Sequence, residues 1–374
     1  MRKLVAVLIA LAAPLWAIAE SPDYVLEVLA EPLEHPWSIA FLPDGGILVT
    51  ERPGRLRFVG PDGLRSAPIE GLPEIFASGQ GGLFEVLLAE DFAESGVLFV
   101  SYAHGNEDEN HTRIARARFD GRQLLEVTPI FTTQPPKSGD VHYGGRMAWM
   151  PDGTLLLGTG DGFFFREESQ NLESHLGKII RIHDDGTVPE DNPFVGTANV
   201  KPEIYSYGHR HVQAIVIDPD EGTVYAHEHG PRGGDELNVI LPGGNYGWPV
   251  ISYGKDYSRS LITPFTSMEG MEQPLEYWIP SIAPAGMTLY DAGLFPQWRR
   301  SFFIAALAEE SVRRVPLLVG GAPGVQDTLF EELGQRIRDI RTGPDGALYL
   351  VTDEPDGQLI RVMPQNAANQ LANP

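Results

Sequence analysis

The sequence predicts an all-β protein, a six-bladed β-propeller made of four-stranded antiparallel blades. The first observation is a repeat: an apolar residue, Pro-Asp-Gly or a variant of it, then an apolar strand closing on a polar residue. The second is its spacing. Six copies over the roughly 355 residues that follow an N-terminal leader leave about 60 per copy, which suits one four-stranded blade with its loops. The third is composition. The chain of 374 residues holds 41 Gly and 31 Pro, which disfavours long helices, because Gly costs backbone entropy in a helix and Pro lacks the helical donor.

In chain order the copies are FLPDGGILVTE (41–51), LAEDFAESGVLFVSY (88–102), WMPDGTLLLGTGD (149–161), IDPDEGTVYAHEH (217–229), LYDAGLFPQWRRSFFIAAL (289–307) and TGPDGALYLVTD (342–353). The second and fifth are weaker, having lost the Pro-Asp-Gly core. Each reads as a hairpin: a strand, a tight turn set by Pro, Asp and Gly, and a second strand. The runs RLRFVG (55–60), RIARARF (113–119), GKIIRI (177–182) and QLIRVM (358–363) follow as outer strands. A pair of β-sandwiches explains the strands but not six similar hairpins. In a ring the inner strands end near the axis, so the residues closing each hairpin converge at one mouth and long loops wall a pocket there.

Residues 1–19 read as a secretory signal peptide. Arg2 and Lys3 precede an apolar run from Leu4 to Trp16, and Ala17-Ile18-Ala19 supplies the small-x-small cleavage pattern. The run is short for a bilayer span, which takes roughly 20 apolar residues. The expectation is a single exported propeller domain over 20–374, periplasmic or secreted, with a frayed polar tail at 365–374. No stable membrane association is expected. The absence of cysteine excludes disulfides, thiolate metal sites and cysteine nucleophiles. With 28 Lys+Arg against 51 Asp+Glu, 28 − 51 gives a net charge of −23. That balance argues against nucleic acid and against anionic lipid, both of which need a basic face. There is no phosphate-binding Gly-x-x-x-x-Gly-Lys motif and no Gly-x-Ser-x-Gly elbow, and the Gly-rich stretches lead into strands rather than helices, so ATP and NAD are poor fits.

Several segments carry residue types suited to chemistry. His142 stands just before the third hairpin, which ends in Asp161. An imidazole titrating near neutral pH suits proton abstraction from a hydroxyl, and a carboxylate at the next strand end can orient it. Arg210, in Gly-His-Arg-His, suits an oxyanion or a carboxylate. His227 and His229 lie two apart on a strand and share a face, which raises a transition-metal site. Gly230-Pro231 beside them can instead expose carbonyl oxygens to a hard cation such as Ca²⁺. Arg336 and Arg338 also share a face and suit a ligand with several carboxylates. Gln80 sits in a Gly-rich loop with one amide to offer. Each of these taken singly reads as well as a turn, a surface pair or a solvated strand.

Taken together, HPWSIAFLPDG, GQGGLFEVLLAEDF, VHYGGRMAWMPDG, GKIIRIHDDGTVPEDNPF, YSYGHRH, EHGPRGGDELN, GGNYGWP, PSIAPAGM and RIRDIRTGPDGALYLVTDE are far more specific. In their order the chain resembles the soluble PQQ-dependent glucose/sorbosone dehydrogenases, with the aldose sugar dehydrogenase branch as its nearest likeness, over roughly 25–363. That resemblance implies a six-bladed propeller that oxidises an aldose at C1 to the lactone, with PQQ and Ca²⁺ as cofactors and an external electron acceptor. It implies His142 as general base and Arg210 as the cation at the quinone oxygen. It implies Gly230 and Pro231 as carbonyl ligands of the cofactor-bound Ca²⁺, and Arg336 and Arg338 as the grip on the PQQ carboxylates. Gln80, Arg146, Gln170 and His211 fall at cofactor-pocket positions. Glu236, by carboxylate, and Tyr246, by backbone oxygen, match a second, structural Ca²⁺ site.

This chain departs from the family pattern in places. His211 stands where Asn is frequent, and Ala308 where Lys is frequent, with Glu309 and Glu310 bringing negative charge beside it. Val141 replaces an acid beside the base, and Trp278 and Ile279 stand out of register with an aromatic wall. Two other readings stay open at this level: a Ca²⁺-dependent propeller hydrolase such as a lactonase, and a non-catalytic carbohydrate- or protein-binding propeller that has lost PQQ.

Overall fold

The computed structural model describes residues 24–63 and 65–365. The leader read in residues 1–19 and all but the first residue of the polar tail lie outside the described residues.

The strands form six antiparallel sheets, five of four strands and one of three. Each of the six hairpins read in the sequence is the first turn of one blade. The Pro-Asp-Gly chemistry is visible in the bonds. Asp44, Asp152 and Asp345 accept the backbone N–H two residues on, at 3.0, 2.9 and 3.1 Å, and a Gly with positive φ follows each. The first strands of neighbouring blades pack against one another all the way round, which closes the ring about an axis. Closure uses both chain ends: strand Tyr24–Leu33 is the outer strand of the last blade, paired with Gly357–Pro364. The three-stranded sheet is the first blade, Pro36–Phe41, Ile47–Glu51 and Arg55–Val59, to which only a single bridge at Arg65 adds.

The core is divided among the interfaces between blades. Six buried apolar clusters fall one to each pair of neighbours, with Leu155, Leu157, Val97 and Phe99 between the second and third blades, for example. The axis is polar instead. First strands of separate blades send Glu85, Arg146, Asp339 and Arg341 inward. Arg146 lies 3.2 Å from Glu85 and 3.1 Å from Asp339, and Arg341 lies 2.8 Å from Glu85 and 3.0 Å from Asp339. Two cations and two anions close this buried set without net charge, which is what burial at the axis requires. Above it lies the mouth where the second strands end.

Candidate active site

At that mouth the third blade brings His142 and Asp161 together. His142 precedes the first strand of the blade, Gly144–Trp149, and Asp161 follows the second, Leu155–Thr159. His142 has φ 54°, in the left-handed region, and its N–H donates to Gln80 Oε1 at 2.9 Å. Such a conformation costs an L-residue about 1–3 kcal/mol and marks a position held by its surroundings. Gly160 makes room, since a Cβ there would stand 2.2 Å from the His142 carbonyl oxygen. His142 Nδ1 donates to Asp161 Oδ1 at 2.6 Å. Asp161 also accepts the Phe163 N–H at 2.7 Å and the Trp248 indole N–H at 2.8 Å. Burial alone would push Asp161 up, but His142, Arg210 and the Phe163 N–H hold it below the ordinary carboxylate range. Burial lowers the His142 imidazole, Arg210 and Lys137 lower it further, and Asp161 opposes them. The ring is therefore neutral near pH 7, with its proton on Nδ1 and Nε2 available as acceptor.

His211 stacks on His142 at 4.6 Å and 15°. Gln213 Nε2 donates to His211 Nε2 at 3.0 Å, which places the His211 proton on Nδ1, a buried atom with no partner among the described residues. Burial, before any neighbour, holds this ring neutral. At the position where the family offers Asn, the chain therefore still offers a donor.

His211 is one wall of an axial cavity of about 370 Å³, with Gln80, Arg336, Arg338, Trp37, Phe84 and Tyr143 around it. Its charged lining is Arg52, Arg336, Arg338 and Asp353, three cations and one anion, 3 − 1 = +2. In a chain of net charge −23 this is a marked local reversal. Arg338 binds Asp353, whose carboxyl burial would raise but Arg338 and His35 hold far down. The Nε atoms of Arg338 and Arg52 are buried without a partner among the described residues. Three guanidinium groups sharing one carboxylate around a cavity with aromatic walls fit a flat ligand with several carboxylates, as PQQ is.

A second cavity, about 350 Å³, is lined by Asp161, Arg210, Trp248, Phe163, Phe164 and Tyr257 among others. Arg210 lies between this space and Gly230. Its Nη1 donates to the carbonyls of His229 at 3.0 Å and Gly230 at 2.7 Å. Gly230 and Pro231 border a narrow cleft together with Glu228, Glu236 and Tyr246. Burial, and then the charge of Glu228, hold Glu236 well above the ordinary carboxylate range. A buried acid beside a second acid favours a cation between them. Among the described residues no group of three or more His, Asp or Glu side chains is disposed to hold a metal. The two ions that the resemblance implies would thus rest largely on carbonyls, those of Gly230 and Pro231 for one, and the Tyr246 carbonyl with the Glu236 carboxylate for the other. A carbonyl has two lone pairs, so Gly230 can serve Arg210 and an ion at once.

Other positions differ from expectation. Arg146 is not at the cofactor cavity. It is fully buried in the axial ion set beneath it, and its remaining donors reach the carbonyls of Gln213, Trp37 and Arg338. It fixes the floor. Gln170 does not face the pocket either, because its amide is spent on Asn245 and on the Trp248 carbonyl, at 2.9 and 2.8 Å. It anchors the loop that carries Trp248. The transition-metal reading of His227 and His229 fails on direction: His229 Nε2 donates to the Pro284 carbonyl at 2.7 Å, while both ring nitrogens of His227 are buried within the blades. Glu309 turns to Arg313 rather than to the cofactor cavity. Sequence reasoning assigned no role to Trp248, Lys137, Asp353 or Arg52. Of these, Asp353 and Arg52 were the most accessible to it, as they directly follow the sixth and first hairpin strands.

Fold and site together define a six-bladed propeller with a buried His–Asp pair behind a cavity lined by three arginines. The chain belongs to the glucose/sorbosone dehydrogenase family, whose model matches residues 33–361. It is 40% identical over 366 residues to aldose sugar dehydrogenase YliI of Escherichia coli, covering 96% of this chain and 97% of that one. The solved soluble aldose sugar dehydrogenase of Escherichia coli, in its apo form, superposes with a TM-score of 0.88 at 38% identity, over 92% of this chain and 100% of that one. The PQQ-bound aldose sugar dehydrogenase of Streptomyces coelicolor does so with 0.74 at 30%, over 92% and 99%. The protein is accordingly a sugar dehydrogenase, an oxidoreductase acting on sugars.

Proposed function

We propose that the protein is an exported, PQQ- and Ca²⁺-dependent dehydrogenase that oxidises aldoses at C1 to lactones and delivers the electrons to an external acceptor. The observation that carries this reading is a cavity of charge +2 in a strongly acidic protein, with the His142–Asp161 pair set directly behind its wall, His142 stacked on the lining residue His211. PQQ, when bound, supplies the two-electron sink that takes the C1 hydride, and Ca²⁺ polarises its carbonyl. Arg336 and Arg338 would hold the cofactor carboxylates, with His211 Nδ1–H and Gln80 beside the ring system. Gly230 and Pro231 would hold the ion, and Glu236 and Tyr246 a second one. His142 Nε2 takes the proton of the C1 hydroxyl, Asp161 stabilises the imidazolium that results, and Arg210 faces the charge that develops opposite. Phe163, Phe164 and Tyr257, exposed along the second cavity, would give the sugar ring an apolar surface to lie against.

The test is a titration of Ca²⁺-loaded apoprotein with PQQ, read by absorbance before and after an aldose is added. Stoichiometric binding followed by reduction of the quinone is expected. A folded protein that ignores micromolar PQQ overturns the reading and returns the non-catalytic propeller to the front. Osmotic-shock fractionation tests export: the mature chain is expected in the periplasmic or extracellular fraction, starting near Glu20.

A further inference from the structure

The family pattern often carries a Lys two residues into the loop after the fifth hairpin, and here that position is Ala308, an exposed residue whose N–H donates to the Ile282 carbonyl. The loss leaves an anionic cofactor one positive group short. Within a ring, however, neighbouring places at the mouth are offered by other blades as well. The end of the second strand of every blade reaches the mouth, as Asp161, His229, Leu307 and Asp353 show. In the first blade the second strand is Ile47–Glu51, and the next residue is Arg52.

Arg52 lines the cofactor cavity together with Arg336 and Arg338. One nitrogen of its guanidinium donates to the Gly79 carbonyl, in the loop that carries Gln80. Its Nε is buried with no partner among the described residues. The acid in that cavity, Asp353, is already engaged by Arg338 and His35. Arg52 thus shares that one acid with Arg336 and Arg338, three guanidinium groups to a single carboxylate already bound by Arg338. Burial and the neighbouring Arg338 and Arg336 charges depress its basicity, with Asp353 opposing. A protein gains nothing from this crowding unless an anion arrives to relieve it.

We propose that Arg52 is a third guanidinium that binds a carboxylate of the cofactor, replacing from the first blade the cation that the fifth blade lacks. The inference rests on the quinoprotein reading above. The bland alternative is that Arg52 serves only to hold the Gln80 loop through Gly79. The two differ in whether charge matters.

The experiment is equilibrium titration of Ca²⁺-loaded apoprotein with PQQ, by absorbance or calorimetry, on the parent and four variants. For Arg52→Met the PQQ Kd is expected to rise about 10–100-fold, the worth of a hydrogen-bonded charge. Arg52→Lys is expected to recover most of that loss, and Ala308→Lys added to Arg52→Met to recover part of it from across the ring. Arg52→Gln keeps a donor for the Gly79 carbonyl but no charge. It is expected to resemble Arg52→Met, and it replaces that variant should Arg52→Met fail to fold. Melting of the apoproteins is followed in parallel, and removing one of three crowded cations is expected not to lower the melting temperature. A neutral variant that binds PQQ within twofold of the parent overturns the proposal, as does an Arg52→Gln chain that binds like the parent. Failure of the parent chain itself to bind PQQ strikes the quinoprotein reading instead.

Discussion

Replacing Asp161 by Asn changes one atom at the point on which the proposed chemistry turns. Asp161 Oδ1 accepts from His142 Nδ1 and the Phe163 N–H, and Oδ2 accepts from the Trp248 indole, at 2.6, 2.7 and 2.8 Å. Asn can keep its oxygen toward His142 and Phe163, and its NH2 then meets the Trp248 N–H, donor against donor. One buried donor goes unpaired, at roughly 1–3 kcal/mol. The reverse placement is worse, since two donors then face the amide nitrogen. The fold therefore survives with a modest loss of melting temperature. Catalysis loses more, because the imidazolium formed on proton uptake has no anion to stabilise it. General-base assistance is worth about 10²–10⁴-fold, so kcat/KM for an aldose falls by about that factor, or roughly 3–5 kcal/mol in the barrier. Asp161 is not part of the cationic cavity, so PQQ titration of the variant gives the parental Kd. The assay is steady-state oxidation with an artificial acceptor, on protein shown to be loaded. An Asp161→Asn enzyme with more than about a third of the parental kcat/KM would refute the assignment of His142 as a base oriented by Asp161.

Three further outcomes follow from the same geometry. Lys137, over the Tyr143 ring at 3.7 Å and itself lowered by burial to about 7, adds to the fields of Arg210 and burial that depress His142, against Asp161. The base works when neutral, so activity is lost as pH falls through a His142 pKa below 6.5. Lys137→Met raises that pKa, and the acid limb of the kcat/KM profile moves to higher pH; a limb that stays put or moves down contradicts this. Trp248→Phe strips Asp161 of its Oδ2 donor and is expected to lower kcat about tenfold, the scale of one buried hydrogen bond, with PQQ affinity retained. A Trp248→Phe enzyme of undiminished kcat would free Asp161 from that dependence. Glu236→Gln removes the carboxylate proposed for the structural Ca²⁺, so the rise in melting temperature that Ca²⁺ gives the parent shrinks. Equal shifts in both proteins would move the ion elsewhere.

The fold was legible because its signal is local and repeated. Three of the six turns carry the same Asp side-chain bond and the same positive-φ glycine, and those features depend on neighbours in sequence alone. The His142–Asp161 pair was legible for a related reason: the two ends of one hairpin must meet. Arg146 and Gln170 misled because their fate depends on residues far along the chain. Arg146 is claimed by Glu85 and Asp339, 61 and 193 positions away, and Gln170 by Asn245. Nothing within their own segments announces those partners. Trp248 was hidden in the same way, as a loop aromatic whose indole finds Asp161 across 87 residues.

A ring also changes what counts as a substitution. In most folds a missing ligand can be replaced only by a residue near it in sequence or by a coincidence of packing. A propeller offers six strand ends around one mouth, and here four of them, Arg52, His229, Leu307 and Asp353, border the same cavity. A cation lost from the fifth blade at Ala308 can return from the first at Arg52 without any change in backbone, because both strand ends already reach the mouth. Position-by-position matching along one motif records the first event as a defect and does not see the second. Reading five of the six hairpin ends as one set gives Arg52, Asp161, His229, Leu307 and Asp353 together. The sum of their charges, with Arg336 and Arg338, then states what the mouth is built to hold. That sum stays positive with Ala308 in place, and the cavity is therefore expected to keep its preference for a polyanion.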